Sequence, residues 1–239
     1  MIKTSVILAA GLGSRFGAQT ERKPKGFILY KGKAMVVRAI EHMLDSGIER
    51  IIIGTGYHRE YYDALETQYP GIIQCVFSPR YADTNSMYTL WNCREAIGDE
   101  DFLLFESDLV FERKAITSLL ECSFDSAMLI SPVTKFQDQY YVQENNRHEL
   151  INCSVDKESI EPSGELVGIH KLSNSFYKIL CAEYERVVEE KPKLGYEFQL
   201  LDVSQRITPM NVLKLNDLQW YEIDDESDLE FAEKKIKIV

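Results

Sequence analysis

The segment that most restricts the fold is an apolar strand that runs straight into a glycine-rich, basic loop. Residues 4–10 read TSVILAA, and residues 11–27 read GLGSRFGAQTERKPKGF. Val6 to Ala10 is an unbroken apolar run of strand length, without the alternation of a half-exposed strand. Such a strand is stable when both of its faces are covered, which in a water-soluble chain means a sheet with helices on either side.

The remaining pattern agrees. AMVVRAIEHMLDSG puts Val36, Val37, Ile40, Met43 and Leu44 on one helical stripe, with Gly47 as C-terminal cap. IERIIIGTG reads as a second strand, YHREYYDALETQY as a helix ending at Pro70-Gly71, and IIQCVF as a third strand. SMYTLWNCREAI carries Met87, Leu90, Trp91 and Ile97 at helical spacing, as core positions. DFLLFESD and AMLISPV are further strands, and QYYVQENNRHELINCSVD forms a β-hairpin turning at Asn145-Asn146. GELVGIHKLS is strand-like, a helix spans Asn174 to about Glu190, and the chain ends as a strand, WYEID, followed by a helix. Strands alternating with helices imply right-handed crossovers. The expected class is α/β: a Rossmann-like, mixed but mainly parallel sheet flanked by helices, with a small β-hairpin lid. Ligands in such sheets bind beyond the carboxyl ends of the strands, where both the basic loop and Asp108 fall.

At 239 residues and 45% hydrophobic content, the chain suits one large domain, 1–239. Net charge is −11, yet residues 1–38 hold eight Lys and Arg against Glu21 alone, so that segment is +7 and the remainder −18. An acidic body is unsuited to nucleic acid, which needs a basic face; a local basic cluster suits a compact polyanion such as a nucleoside triphosphate. Lys31 and Lys33, flanking Gly32, are read as solvated turn residues. No apolar run reaches membrane-spanning length, and MIKTSVILAAG lacks the cleavage region of a signal peptide, so neither membrane nor secretion is expected. Cys75, Cys93, Cys122, Cys153 and Cys181 are scattered without a CxxC pair, as expected of reduced thiols in a cytoplasmic protein.

Two familiar phosphate loops are excluded. The dinucleotide fingerprint needs G-x-G-x-x-G and an acid ending the second strand, whereas Gly11, Gly13 and Gly17 give G-x-G-x-x-x-G and the second strand ends IIIGTGYH. No Gly-Lys-Ser/Thr of a Walker loop occurs. What remains is glycines that let backbone N–H groups approach phosphate, then Arg15, then Lys25 beside Pro24. Arginine offers a forked donor and lysine a point charge.

LAAGLGSRFG with KPKGF resembles the signature of the nucleotidyltransferases that join a nucleoside monophosphate to a phosphorylated small molecule, releasing pyrophosphate. PKGF with YADTNSMYTL is most similar to the cytidylyltransferases of 2-aminoethylphosphonate and to the related bacterial phosphocholine cytidylyltransferases. The resemblance runs from Met1 to YEIDDESD and implies the nucleotidyltransferase (GT-A-like) fold, with 1–125 as nucleotide-binding half and 126–239 as acceptor-binding half. It also implies magnesium as cofactor. In this chemistry an already ionised phosphonate or phosphate oxygen attacks the α-phosphorus of CTP. No general base is needed; the obstacles are repulsion and alignment.

By resemblance, Arg15 holds the phosphates that leave as pyrophosphate, Lys25 neutralises the α-phosphate and incoming acceptor, and Gly11 and Gly13 present N–H groups. Asp108 and Asp224 hold the metal, with Glu222 as metal or amine partner and Glu106 supporting from behind. Asp225 is expected to cap the last helix. Leu8, Ala9 and Ala10 face the base through their backbone, and Asp83, Thr84, Asn85 and Ser86 wall the cytosine and ribose, although Ser86 could instead cap the following helix. The acceptor is expected at Tyr140, Tyr141, Glu165, Gly168, Tyr196, Glu197 and Glu222. A primary ammonium wants carboxylate and hydroxyl partners and a quaternary one an aromatic cage; this hairpin carries Tyr where phosphocholine-type relatives carry Trp, which leans toward the amine. The expected reaction is transfer of CMP from CTP to 2-aminoethylphosphonate in phosphonate biosynthesis. Phosphocholine as acceptor is the alternative, and a catalytically silent nucleotide-binding regulatory module the further one; a sugar 1-phosphate fits less well. The expected partners are small molecules, with a homo-oligomer or fusion to a neighbouring pathway enzyme also compatible with the chain. The four histidines show no paired spacing and are read as structural or surface residues.

Overall fold

In the computed structural model, residues 2–135 and 139–238 are described. Strand β1 (Thr4–Ala9) is buried at every position, as its unbroken apolar run demands. A small hairpin of β2 (Leu29–Tyr30) and β3 (Lys33–Ala34) turns at Lys31-Gly32, both at positive φ, and precedes α1 (Met35–Asp45). Then follow β4 (Arg50–Thr55), α2 (Glu60–Gln68), β5 (Ile73–Phe77), α3 (Ser86–Asn92), α4 (Arg94–Ile97), β6 (Phe102–Glu106), β7 (Leu109–Phe111), α5 (Lys114–Glu121) and β8 (Ala127–Ser131). The second half holds β9 (Tyr141–Glu144), β10 (Leu150–Ser154), β11 (Gly164–Leu172), α6 (Asn174–Glu185) and α7 (Tyr196–Arg206). It ends with β12 (Asn211–Lys214), β13 (Trp220–Glu222) and α8 (Glu226–Lys235).

The central sheet is mixed and mainly parallel, in the order β10-β9-β11-β6-β1-β4-β5, with β8 against β11 and β12 against β8. β1 lies between β4 and β6, parallel to both, and Leu8 pairs with Gly54 and Glu106. That register brings the end of β6 level with the start of the glycine loop. β11 runs antiparallel to β6, and its register against β8 shifts between Leu166 and His170, where Gly168 adopts φ +77°. Such a bulge bends the strand and re-aims what lies beside it.

Helices cover both faces. One apolar cluster joins Val6, Leu8 and Leu104 to Met87, Leu90, Tyr177, Leu180 and Leu200; the other joins Ile7, Ile53 and Phe105 to Val36, Ile40, Leu65 and Ile116. A third, smaller cluster packs Phe16 with Tyr30, Val110, Tyr221 and Ile223, pinning the glycine loop against β13. β13 pairs antiparallel with β7, and the Ile223 N–H donates to the Asp108 carbonyl at 3.0 Å. This short ribbon carries the C-terminal acids to the end of β6.

Two helices differ in detail from the expectation. The SMYTLWNCREAI helix divides at Cys93 into α3 and α4; Met87, Leu90 and Ile97 are core, whereas Trp91 sits half-buried under the Arg94 guanidinium, 3.8 Å from its ring. The helix from Asn174 ends at Glu185 and continues only as turns to Glu190. The hairpin turns as expected, with the Asn145 side chain accepting from the N–H groups of Arg147 and Glu149. It is joined to the central sheet through β9 and β11. Among the described residues no helix is long and apolar enough to cross a membrane.

Candidate active site

The carboxyl ends of β1 and β6, the loop before α3, the start of α7 and the β7–β13 ribbon enclose a cleft of about 430 Å³. One wall is the glycine loop. Gly13 takes φ +62°, and a Cβ there would meet the Lys25 Cβ at 3.1 Å, so a larger residue would crowd the lysine. Pro24, extended at φ −69°, precedes the single turn Lys25–Phe27 that aims Lys25 inward. The 3-10 turn after Gly13 carries Arg15, with Phe16 buried beneath it.

Lys25 is the centre of the geometry. Its ammonium lies 2.5 Å from Asp108 Oδ2 and 2.5 Å from Asp224 Oδ1, joining residues up to 199 positions apart. The Arg15 guanidinium donates to the same Asp224 oxygen at 2.7 Å. Burial, the largest single influence, pulls the Lys25 ammonium down, but the summed attraction of Asp108, Asp224 and Glu222 outweighs it and holds the group charged.

The acids fit a hard divalent cation. Oxygens of Glu106, Asp108 and Glu222 all lie within 4.8 Å of one another, without a thiol or imidazole among them. Asp108 Oδ1 and Asp224 Oδ2 are buried and lack a hydrogen-bond partner among the described residues. A buried carboxylate oxygen without a partner is costly, and an oxygen-only donor set is the kind that magnesium takes.

The far end of the cleft is acidic. Burial, and then the charges of Asp108 and Glu197, push the Glu106 carboxyl above the usual range. Burial and Glu222 do the same to Glu197, and burial with Asp108 and Glu106 to Glu222. Glu222 accepts from the Gln139 amide at 2.9 Å, and the Tyr196 hydroxyl donates to Glu106 Oε1 at 2.5 Å.

Most sequence-derived positions converge here. Arg15, Lys25, Asp108 and Asp224 meet, Leu8, Ala9, Ala10, Gly11 and Gly13 line one wall, and Thr84, Asn85 and Ser86 another. Tyr140, Gly168, Glu197 and Glu222 line the acidic end. Asn85, not Ser86, caps α3, its side chain accepting from the Ser86 N–H; the Ser86 hydroxyl instead accepts from the Tyr196 N–H, tying α3 to α7. Asp225 caps α8 as expected.

Four positions fall outside the lining. Asp83 is exposed outside the cleft, its N–H closing a turn onto the Arg80 carbonyl. Tyr141 follows Tyr140 and so points to the opposite face; it is buried and donates to the Lys135 carbonyl. Glu165 is wholly buried and accepts from the Thr134 hydroxyl and the N–H groups of Thr134 and Lys135, fixing that segment and not facing a ligand. Tyr196 stands behind the wall, acting through Glu106.

Sequence reasoning overlooked Gln139, Lys193, Tyr81 and Ser107 in the lining, and His170 behind it. Gln139, Lys193 and Ser107 sit in irregular segments without a motif, whereas Tyr81 opens the YADTNSMYTL segment, whose polar residues alone carried the expectation. His170 has one readable signal, its place on the apolar strand GELVGIHKL, where a polar residue requires a partner.

Residues 5–171 match the family described as the MobA-like NTP transferase domain. A choline-phosphate cytidylyltransferase of Streptococcus pneumoniae is 36% identical over 108 residues, covering 43% of this chain and 46% of that protein. A 2-aminoethylphosphonate cytidylyltransferase of Lancefieldella rimae is 30% identical over 112 residues, 47% of this chain and 45% of that one. A CMP-5'-(3-aminopropyl)phosphonate synthase of Streptomyces rubellomurinus is 26% identical over 236 residues, 94% of this chain and 37% of its own length. The chain thus spans less than half the length of each of these curated relatives. A solved structure of a CTP:phosphocholine cytidylyltransferase from Streptococcus pneumoniae shares the fold at a TM-score of 0.80 and 23% identity, covering 98% of this chain and 99% of that one.

Proposed function

The chain belongs to the MobA-like NTP transferase family, and from that premise we propose that it transfers CMP from CTP to 2-aminoethylphosphonate, releasing pyrophosphate. The observation that carries this reading is Lys25, clamped between Asp108 and Asp224 at the mouth of the glycine loop and facing an acidic acceptor end. An ionised phosphonate oxygen attacks the α-phosphorus of CTP; the new O–P bond forms as the bond to the bridging oxygen breaks, and that electron pair leaves with pyrophosphate. Lys25 offsets the charge where the two anions meet. Arg15 and the N–H groups of Gly11 and Gly13 hold the departing phosphates. The backbone of Leu8 to Ala10, with Thr84, Asn85 and Ser86, walls the base and ribose. Magnesium held by Asp108 and Asp224 would supply charge neutralisation and Lewis-acid polarisation of phosphate oxygens.

In this reading residues 1–125 supply the nucleotide side and 126–239 most of the acceptor side, in a cytoplasmic enzyme with reduced cysteines. Phosphocholine is the second acceptor to weigh, on the strength of Tyr140 in the lining and the pneumococcal relative. The test is pyrophosphate release in magnesium, crossing CTP, UTP, ATP and GTP with 2-aminoethylphosphonate, phosphocholine, phosphoethanolamine and a sugar 1-phosphate. Turnover with CTP and the phosphonate is expected. Turnover with phosphocholine alone would replace the acceptor, and nucleotide binding without turnover would favour a regulatory module.

A further inference from the structure

The acidic end of the cleft contains a carboxyl group that is unusually well fixed. Glu106 leaves the end of β6 through the space opened at the β11 bulge, where a Cβ on Gly168 would lie 2.9 Å from Glu106 Cδ. The Tyr196 hydroxyl gives its single hydrogen to Glu106. On its other side the same oxygen lies 3.0 Å from His170 Nε2, which must then be the donor. That assigns the Nε2–H tautomer to His170, and burial keeps the ring neutral by lowering its pKa to about 3. Beside Glu106, Glu197 from the first turn of α7 is 6% exposed, lines the cleft, and has no partner for Oε2 among the described residues. No ion pair joins Glu106, Glu197 or Glu222 to a Lys or Arg among those residues.

We propose that Glu106 and Glu197 seat a primary ammonium group of the acceptor, and that His170 and Tyr196 are positioning residues for Glu106. This rests on the transfer reaction proposed above. Three converging carboxyl groups with an unpartnered oxygen call for a cation that also donates hydrogen bonds. A primary ammonium brings three N–H donors, whereas a quaternary one brings none and depends on aromatic faces. Among the described residues, the aromatic side chains lining the cleft are Tyr62, Tyr81 and Tyr140, and only Tyr140 of these comes from the 126–239 half. The seat also adjoins Asp108, so the ammonium and the reacting oxygen are separated by a short linker, as a two-carbon chain provides.

The test compares 2-aminoethylphosphonate with n-propylphosphonate, its isostere lacking the ammonium, and phosphoethanolamine with phosphocholine, which differ only in N-methylation. The native enzyme is expected to prefer the ammonium-bearing member and the primary amine by 100-fold or more in kcat/KM. Glu106→Gln should lower kcat/KM for 2-aminoethylphosphonate, through KM, by a much larger factor than for n-propylphosphonate, removing most of the first preference. Tyr196→Phe and His170→Leu should raise KM for 2-aminoethylphosphonate about tenfold with kcat nearly unchanged, and His170→Gln, which keeps an N–H donor, should recover most of it. If Glu106→Gln slows both phosphonates equally, Glu106 serves the phosphate end and the seat is wrong. Equal use of phosphoethanolamine and phosphocholine would also overturn it. Absence of turnover with every acceptor would count against the transfer reaction alone. Calorimetric binding of the two phosphonates, with a non-hydrolysable CTP analogue present, then decides the seat: a preference lost in Glu106→Gln supports it, and equal binding rejects it.

Discussion

Replacing Lys25 with methionine keeps an unbranched stem against Gly13 and removes only the ammonium that Asp108 and Asp224 share. The side chains of Lys25, Asp108 and Asp224 are 12%, 17% and 4% exposed, so solvent can restore little of the lost interaction. Removing one partner of a buried pair costs about 3 to 5 kcal/mol; here Asp108 loses the ammonium bonded to it, while Asp224 keeps the Arg15 guanidinium. For a chain of this size that is a fall in Tm on the order of 10 °C. Adding Asp224→Asn should recover at least about 1 kcal/mol of it, since the two residues are directly coupled. The assay is urea and thermal unfolding in metal-free buffer for the wild type, both single variants and the double variant. The kcat of Lys25→Met should fall roughly 10²- to 10³-fold, the usual effect of deleting one electrostatic contact to a developing charge. A variant melting within 2 °C (about half a kcal/mol) of the wild type would refute the reasoning that Lys25 holds the two acids together.

Other outcomes follow from the same geometry. Asp108→Asn should cut turnover by at least about 100-fold while weakening magnesium dependence, read as pyrophosphate release against metal concentration. Gly168→Ala should destabilise by about 1 to 3 kcal/mol, because φ is +77° and the added methyl meets the Glu106 carboxyl; thermal melting measures it. His170 contributes an acid sensitivity opposite in sign to that of the raised Glu106, Glu197 and Glu222 carboxyls. Its folded pKa is about 3 against an ordinary 6.5, so the unfolded chain takes up a proton below 6.5 that the folded one refuses. This group's contribution to stability is therefore lost as pH falls from 6.5 toward 3, by up to about 1.4 kcal/mol per unit. Urea titrations at pH 7 and pH 5 should show His170→Gln gaining stability at pH 5 relative to pH 7 when compared with the wild type.

The nucleotide side was the legible part of the sequence. An apolar strand followed by glycines, Arg15 and Pro24-Lys25 is a local pattern, and local patterns survive folding. Asp108 was readable as an acid ending a strand, and Asp224 only through the family resemblance that runs to YEIDDESD. The acceptor side was harder to read because its geometry is tertiary. Whether Tyr140 or Tyr141 faces the cleft depends on the register of one strand. Glu165 looked free to bind, yet it holds the backbone at Thr134 and Lys135. The helix carrying Glu197, YEFQLLDVSQR, mixes polar and apolar residues without a sharp stripe, and its role depends on docking beside α3. Nothing local announces that His170 meets Tyr196, or that a bulge at Gly168 admits Glu106.

The central claim is a bond: phosphonate oxygen to the α-phosphorus of CTP. Phosphorus-31 NMR of the wild-type protein with CTP, magnesium and 2-aminoethylphosphonate tests it most directly. The account expects the free phosphonate signal to decline as coupled resonances of a phosphonate–phosphate anhydride and a pyrophosphate signal rise in equal amounts. An unchanged phosphonate signal while CTP is consumed, or no consumption of CTP at all, would contradict it.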